Sequence, residues 1–224
     1  MGIIELDKIN FRYEKEEALV LRDFDMSVQP GECVVIEGDN GSGKTTLFRV
    51  LSGLAFPESG EFCLDGVKIT GEYMKDNARS KLFHKRVGYL FQDPDIMLFN
   101  ARVYDEVAFG PRQMGLTDAE TDERTRDCLE LFGLSELSDK APYHLSGGQK
   151  KRVALAAVMA LNPDVLLLDE PYAGLDRKTQ ASLTRFLSDL KKSGKTLIVA
   201  THNGEALMDI ADRIITLSAP DDEH

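Results

Sequence analysis

The octapeptide Gly38-Asp39-Asn40-Gly41-Ser42-Gly43-Lys44-Thr45 constrains this chain more than any other segment, because it fits the spacing G-x-x-x-x-G-K-[ST]. Its flanks agree with a strand, a glycine loop and a helix in succession. Val34, Val35 and Ile36 form a short apolar run before it. Leu47, Val50, Leu51 and Leu54 follow at i, i+3, i+4 and i+7, one face of a helix. Glycines let backbone N–H groups curl around phosphate oxygens, which Cβ atoms would obstruct. The helix start adds its positive dipole end. Lys44 brings a point charge to the outer phosphates, and the Thr45 hydroxyl suits Mg²⁺, which prefers oxygen ligands. The pattern arises by chance in only about 1% of chains this long, so with these flanks a mere glycine-rich helix entry explains it poorly.

Two further segments ask for the same chemistry. The apolar run Val165-Leu166-Leu167-Leu168 leads into Asp169-Glu170-Pro171. Neighbouring strand side chains point to opposite faces, so the two carboxylates are expected to do different jobs. Asp169 is assigned to the Mg²⁺ shell and Glu170 to the attacking water, as general base or orienting group. Leu145-Ser146-Gly147-Gly148-Gln149 reads as a second anion-seeking helix start, with Ser146 and Gln149 as a capping box. Lys150, Lys151 and Arg152 then crowd the first turns, where cations oppose the helix dipole. They are expected either to meet an anion or acidic surface, or to form a solvated basic face.

The remaining periodicities predict an α/β chain built on a parallel sheet, with a helical region inserted near 93–145. Thr117 and Glu120 cap a helix that can run to Phe132 and stop at Gly133. Leu183, Phe186, Leu187 and Leu190 form a helical stripe, and strands are expected at 196–201 and 214–217. The 224 residues suit one domain. Lys plus Arg number 27 and Asp plus Glu 38, a net charge of −11, which argues against a nucleic-acid partner. The longest apolar run, Val153 to Leu161, has nine residues, well short of the roughly 20 of a spanning helix. The N-terminus lacks a basic n-region and a long h-region, so no signal peptide is expected. Cys33, Cys63 and Cys128 are expected as buried thiols.

Gly38 to Thr45, Leu145 to Gln149, Val165 to Glu170 and the later His202, in this order, resemble the nucleotide-binding domain of ATP-binding-cassette proteins across nearly the whole chain. That resemblance implies a P-loop NTPase fold with a mainly parallel sheet core, an N-terminal antiparallel β subdomain and an inserted α-helical subdomain. Residues 1–224 would form a single nucleotide-binding domain. It also implies ATP and Mg²⁺ as ligands. Gly38, Asn40, Gly41, Ser42, Gly43, Lys44, Thr45 and Thr46 would hold phosphates, and Tyr13 would stack on adenine. Thr45, Gln92 and Asp169 would attend the metal. Gln92 would sense the γ-phosphate, and His202 would hydrogen-bond it as the switch histidine. Glu170, His202, Gln92 and Lys44 would be catalytic. Ser146, Gly147, Gly148 and Gln149 would cap the nucleotide of a second cassette, in a head-to-tail homodimer or heterodimer enclosing two ATP. Ala173-Gly174-Leu175-Asp176 matches the dimer-interface loop.

Within the family, Phe91-Gln92-Asp93-Pro94-Asp95, Val107 to Pro111 and Leu145 to Ala154 resemble the energy-coupling-factor group, which powers import of vitamins, cobalt or nickel. Ile96 and Met97 depart from that group's pattern, as does Asn203 after the switch histidine. The resemblance implies a peripheral subunit at the cytoplasmic face of the membrane. The apolar run Ile96 to Phe99 suggests that Asp95 to Pro111 helps form a groove for a short helix of an integral membrane partner, against ordinary internal packing. A soluble cassette switch in DNA repair or translation is the alternative function. A small-molecule kinase would leave Leu145 to Gln149 without a role.

Overall fold

The computed structural model describes residues 2–16, 18–202 and 204–218. Two sheets divide the strands. β1 (Ile4–Phe11), β2 (Leu21–Val28), β4 (Ser59–Leu64) and β5 (Val67–Lys68) form an antiparallel sheet in the order β2-β1-β4-β5. β3 (Cys33–Glu37), β6 (Val87–Leu90), β7 (Val165–Asp169), β8 (Thr196–Thr201) and β9 (Arg213–Thr216) form a parallel sheet in the order β6-β7-β8-β3-β9. The strand expected at 214–217 is thus displaced by one residue.

The parallel sheet is covered on both faces, and strand alternation sorts its side chains between two cores. Val34, Ile36, Val165, Leu167, Ile198 and Ala200 face the antiparallel sheet and helices α1 (Lys44–Leu51) and α3 (Asn77–Arg86). Cys33, Val35, Leu166, Leu168, Leu197 and Val199 face the other core, with α4 (Val103–Gln113), α5 (Asp118–Leu131), α6 (Gly147–Met159) and α7 (Arg177–Lys192). A five-residue helix α2 (Gly71–Lys75) precedes α3. Burial lifts the thiols of Cys33 and Cys128 to about 11, while Cys63 is only half-buried.

Helix ends follow the residues that cap them. The Thr117–Glu120 capping box opens α5, and the Ser146–Gln149 box opens α6, with both reciprocal bonds present in each. α1 stops earlier than its apolar spacing predicts. Gly53 takes φ 69°, and the N–H groups of Leu54 and Gly53 donate to the carbonyls of Arg49 and Val50. This is a Schellman stop, and it leaves Leu54 outside the helix and exposed. Gly133 ends α5 in the same way, at φ 62°.

The parallel register sets the functional edge. Glu37 pairs with Thr201, and Asp169 with Ala200. The segments after β3, β6, β7 and β8 therefore leave the sheet at one carboxyl edge, where open α/β sheets bind ligands.

Candidate active site

The loop after β3 wraps the ammonium of Lys44. This side chain is buried, and its Nζ donates to the carbonyls of Gly38 at 2.6 Å and Asp39 at 2.9 Å. Gly43 stands before the helix at φ 96°, in the left-handed region that excludes most side chains. A Cβ on Gly38 would collide with the Leu217 carbonyl and the Ser42 hydroxyl. The Ser42 Oγ is itself buried without a hydrogen-bond partner. A cradle of crowded backbone, a buried cation and an unpartnered hydroxyl fits an anionic oxygen.

Asp169 ends β7 with 1% of its surface exposed. Its Oδ2 accepts from the Thr45 hydroxyl at 3.0 Å and the Tyr89 hydroxyl at 3.3 Å, while Oδ1 has no partner. Burial raises this carboxyl above the usual range, partly offset by the Thr45 and Tyr89 bonds. Burial also raises the Tyr89 phenol, followed by the charge of Asp169. Among the described residues no group of three or more His, Cys, Asp or Glu could hold a metal ion alone. One orphaned carboxylate oxygen beside a threonine hydroxyl instead suits a cation that keeps waters and takes its remaining ligands from a phosphate.

Glu170 corrects the alternation expected for the two carboxylates. The strand ends at Asp169, and Glu170 takes φ 45°, a left-handed conformation that re-aims its side chain. Both carboxylates therefore border one cavity of about 520 Å³, within the range of ligand sites. That cavity also takes in Tyr13, Asn40, Gly41, Gly43, Lys44, Thr45, Thr46 and the exposed Gln92. Glu170 Oε2 lies 2.9 Å from His202 Nδ1 and 3.4 Å from the Thr201 hydroxyl. His202 does not line the first cavity. It shares with Glu170 a second one of about 500 Å³. Asn203 lies outside the described residues.

Tyr13 is 51% exposed beside α1. Its hydroxyl is 2.9 Å from Thr46 Oγ1 and accepts from Arg49 at 3.4 Å, while Phe11 packs edge-on against its ring. Sequence reasoning missed Tyr89 and Thr201. Thr201 adjoins His202, but neither residue belongs to a motif that would have marked it.

Ser146, Gly147, Gly148 and Gln149 lie outside both cavities. Nothing within the described residues comes within 4 Å of a Cβ built on Gly147, and Gly148 would meet only a Leu175 methyl at 3.6 Å. Intrachain packing does not require these glycines. The cations that follow are not a solvated face, because each finds an acceptor within the chain. Lys150 pairs with Asp95 at 2.7 Å, Lys151 donates to two backbone carbonyls, and Arg152 donates to the Phe132 carbonyl at 3.1 Å. Each is consumed inside the chain by an acceptor from a segment distant in sequence.

A third concavity has a volume of about 350 Å³. Phe91, Met97, Phe99, Phe109 and Leu54 line it. Phe99 is 66% exposed and meets Phe109 edge-on at 5.0 Å. The buried carboxylate of Glu106 pins this lip, accepting from the N–H groups of Phe99 at 3.0 Å and Asn100 at 2.8 Å. Leu98 packs inward against the second core, while Ile96 points outward. No helix among the described residues is long and apolar enough to cross a membrane.

Comparison with known proteins places these features in context. The family profile described as ABC transporter matches residues 21–173. The nickel import ATP-binding protein LarO of Lactiplantibacillus plantarum is 44% identical over 211 residues, covering 94% of this chain and 88% of that protein. The solved structure of CbiO1 from Clostridium perfringens, part of the ABC transporter complex CbiONQ, superposes with a TM-score of 0.84 at 34% identity, covering 98% of this chain and 87% of that one. The ATP-binding cassette MJ0796, a dimer in a post-hydrolysis state bound to ADP and Pi, superposes with a TM-score of 0.86 at 27% identity, covering 96% of each chain.

Proposed function

The chain belongs to the ABC transporter family, and from that premise we propose that it is the ATP-hydrolysing subunit of an importer of energy-coupling-factor type, powering uptake of a metal ion or vitamin through membrane partners. Residues 1–224 act as one nucleotide-binding domain, with the helical segment at about 93–145 as its insert. The observation that carries this reading is the convergence of Lys44, Thr45, Asp169 and Glu170 on one cavity, while a second anion-seeking helix start lies away from it.

ATP is bound by the loop from Gly38 to Thr46, with Lys44 turning from its carbonyls to the outer phosphates and Tyr13 offering a π-face to adenine. Thr45, Asp169 and Gln92 would hold Mg²⁺, which supplies charge neutralisation at the phosphates. Glu170 accepts a proton from the attacking water or orients it. Its bond with His202 fixes which way the carboxylate points, and His202 can swing from Glu170 to the γ-phosphate. Gly147 and Gly148, unneeded by their own chain, leave room for the nucleotide of a second cassette, related or identical. Two ATP then lie between head-to-tail protomers.

The third concavity is the docking site for a short helix of an integral membrane partner, which holds this subunit at the cytoplasmic face. Exposed aromatics on a lip pinned by a buried carboxylate support that occupant. The import relatives favour this reading over a soluble switch in DNA repair or translation. Met97→Glu with Phe99→Glu is expected to abolish co-purification with membrane proteins from detergent extracts. Stability should change by no more than about 0.5 kcal/mol at the exposed Phe99 and by more at Met97, which is partly buried against the second core, while the fold and ATP hydrolysis by the isolated subunit should persist. Undiminished recruitment of the double variant contradicts the docking site.

A further inference from the structure

Lys151 is a buried cation that the proposed chemistry does not use. It lies in α6 with 5% of its surface exposed. It sits one turn into the helix, and burial lowers its proton affinity. A buried ammonium persists where acceptors compensate it. Here Nζ donates to the carbonyl of Glu170 at 2.9 Å and to that of Ala173 at 3.0 Å.

Those two carbonyls bracket the turn that follows β7. The Glu170 carbonyl also accepts from the Ala173 N–H at 3.1 Å, and the Glu170 N–H donates to Ala200 at 2.9 Å. Glu170 itself sits at φ 45°. Its unusual backbone is thus clamped on the amide side by the sheet and on the carbonyl side by Lys151. Beyond Ala173 the chain continues into Gly174-Leu175-Asp176, and Asp176 caps α7 through Thr179.

Lys151 therefore joins two elements with different duties. One is α6, whose first residues Ser146 to Gln149 form the anion-seeking helix start. The other is the peptide unit that aims the candidate base. In a head-to-tail dimer these serve different nucleotides: α6 faces the ATP held by the partner, and Glu170 faces the ATP of its own chain. We infer that Lys151 is a positioning residue that links the two ATP sites through a single chain, delivering displacement of α6 to the backbone of Glu170. This inference rests on the head-to-tail reading proposed above. Its consequence is cooperativity, since engagement of one nucleotide by α6 sets the carboxylate for the other.

The test compares the parent chain with Lys151→Met and Lys151→Arg, measuring steady-state ATP hydrolysis against ATP concentration and, separately, affinity for a fluorescent ATP analogue. The parent is expected to show a Hill coefficient approaching about 2, the number of sites. Lys151→Met should bring it to about 1 and lower kcat by up to about 100-fold, the effect of a misplacement near 1 Å. Analogue affinity should stay within about twofold, because no nucleotide-binding atom is removed. Lys151→Arg, which keeps the charge and donors, should restore cooperativity. A Lys151→Met protein with the parent's Hill coefficient overturns the inference, as does one whose kcat falls only with its folded fraction. If that variant does not fold, Lys151→Gln, too short to span both carbonyls, replaces it with the same outcomes. A parent chain with no cooperativity and no ATP-dependent dimer overturns the head-to-tail reading itself, and that result is read without any variant.

Discussion

Glu170→Gln is expected to bind ATP as the parent does while kcat for hydrolysis falls by roughly 10²- to 10⁴-fold, the usual contribution of a positioned general base. The substitution is nearly isosteric at a buried position, so the second core and the left-handed turn at φ 45° are preserved. An amide can still bond His202 Nδ1, as Oε2 does at 2.9 Å. What disappears is the ability to accept a proton. Nucleotide then remains intact in the closed state, and sedimentation with ATP should report a stable dimer. Single-turnover assays separate this from a binding defect, which would leave ATP affinity reduced. A Glu170→Gln protein that hydrolyses ATP at the parent rate removes Glu170 from the chemistry.

Asp169→Asn should have two effects of opposite sign. Hydrolysis supported by Mg²⁺ should fall by at least about 100-fold, because the orphaned Oδ1 that suits the cation is replaced. Thermal stability without nucleotide or divalent cation should instead rise. Burial raises this carboxyl above its ordinary value of 3.8, so the native state disfavours ionisation there relative to the unfolded chain. The cost is absent below about pH 3.8 and grows as pH rises. It is complete once the pH exceeds the raised native value. The stability gain of the variant should therefore be largest near neutrality and shrink on acidification. Mg²⁺ should add to the rise in Tm that ATP alone gives the parent and add little to that of the variant, whose phosphate loop is intact. A variant no more stable than the parent at neutral pH contradicts the electrostatic strain assigned to Asp169.

The parallel sheet was legible in the sequence because its strands are buried on both faces. Val165 to Leu168 and Leu197 to Ala200 therefore read as unbroken apolar runs. The capping boxes at Thr117 and Ser146 were legible because they are local. What depended on one residue's backbone was not. Strand alternation wrongly separated Asp169 from Glu170, since no periodicity announces that a strand stops and a glutamate turns left-handed. Leu54 fitted the α1 stripe by spacing but fell beyond a glycine stop. Lys150, Lys151 and Arg152 looked like one basic cluster because they are adjacent in sequence. Their acceptors, Asp95, the carbonyls of Glu170 and Ala173, and the Phe132 carbonyl, come from three distant segments. Tyr89 reaches Asp169 across neighbouring strands β6 and β7, a contact that only the sheet order creates.

In the proposed dimer each ATP site is completed by a second cassette. Complementation between Lys44→Ala and Gly147→Asp distinguishes this composite site from one built by a single chain. Lys44→Ala removes the cation of the phosphate loop. Gly147→Asp places a carboxylate where this chain leaves open space, at the first helical position, where an acid favours the helix and repels phosphate. Each protein alone should be nearly inactive. Mixed in equal amounts and allowed to exchange, they should form an ATP-dependent dimer that neither forms alone and recover up to about a quarter of the parent ATPase rate, because half of the dimers are mixed and each of these contains one intact composite site; coupling through Lys151 lowers the rate below that ceiling but leaves the dimer. A mixture that forms no ATP-dependent dimer and is no more active than either variant alone contradicts the head-to-tail arrangement.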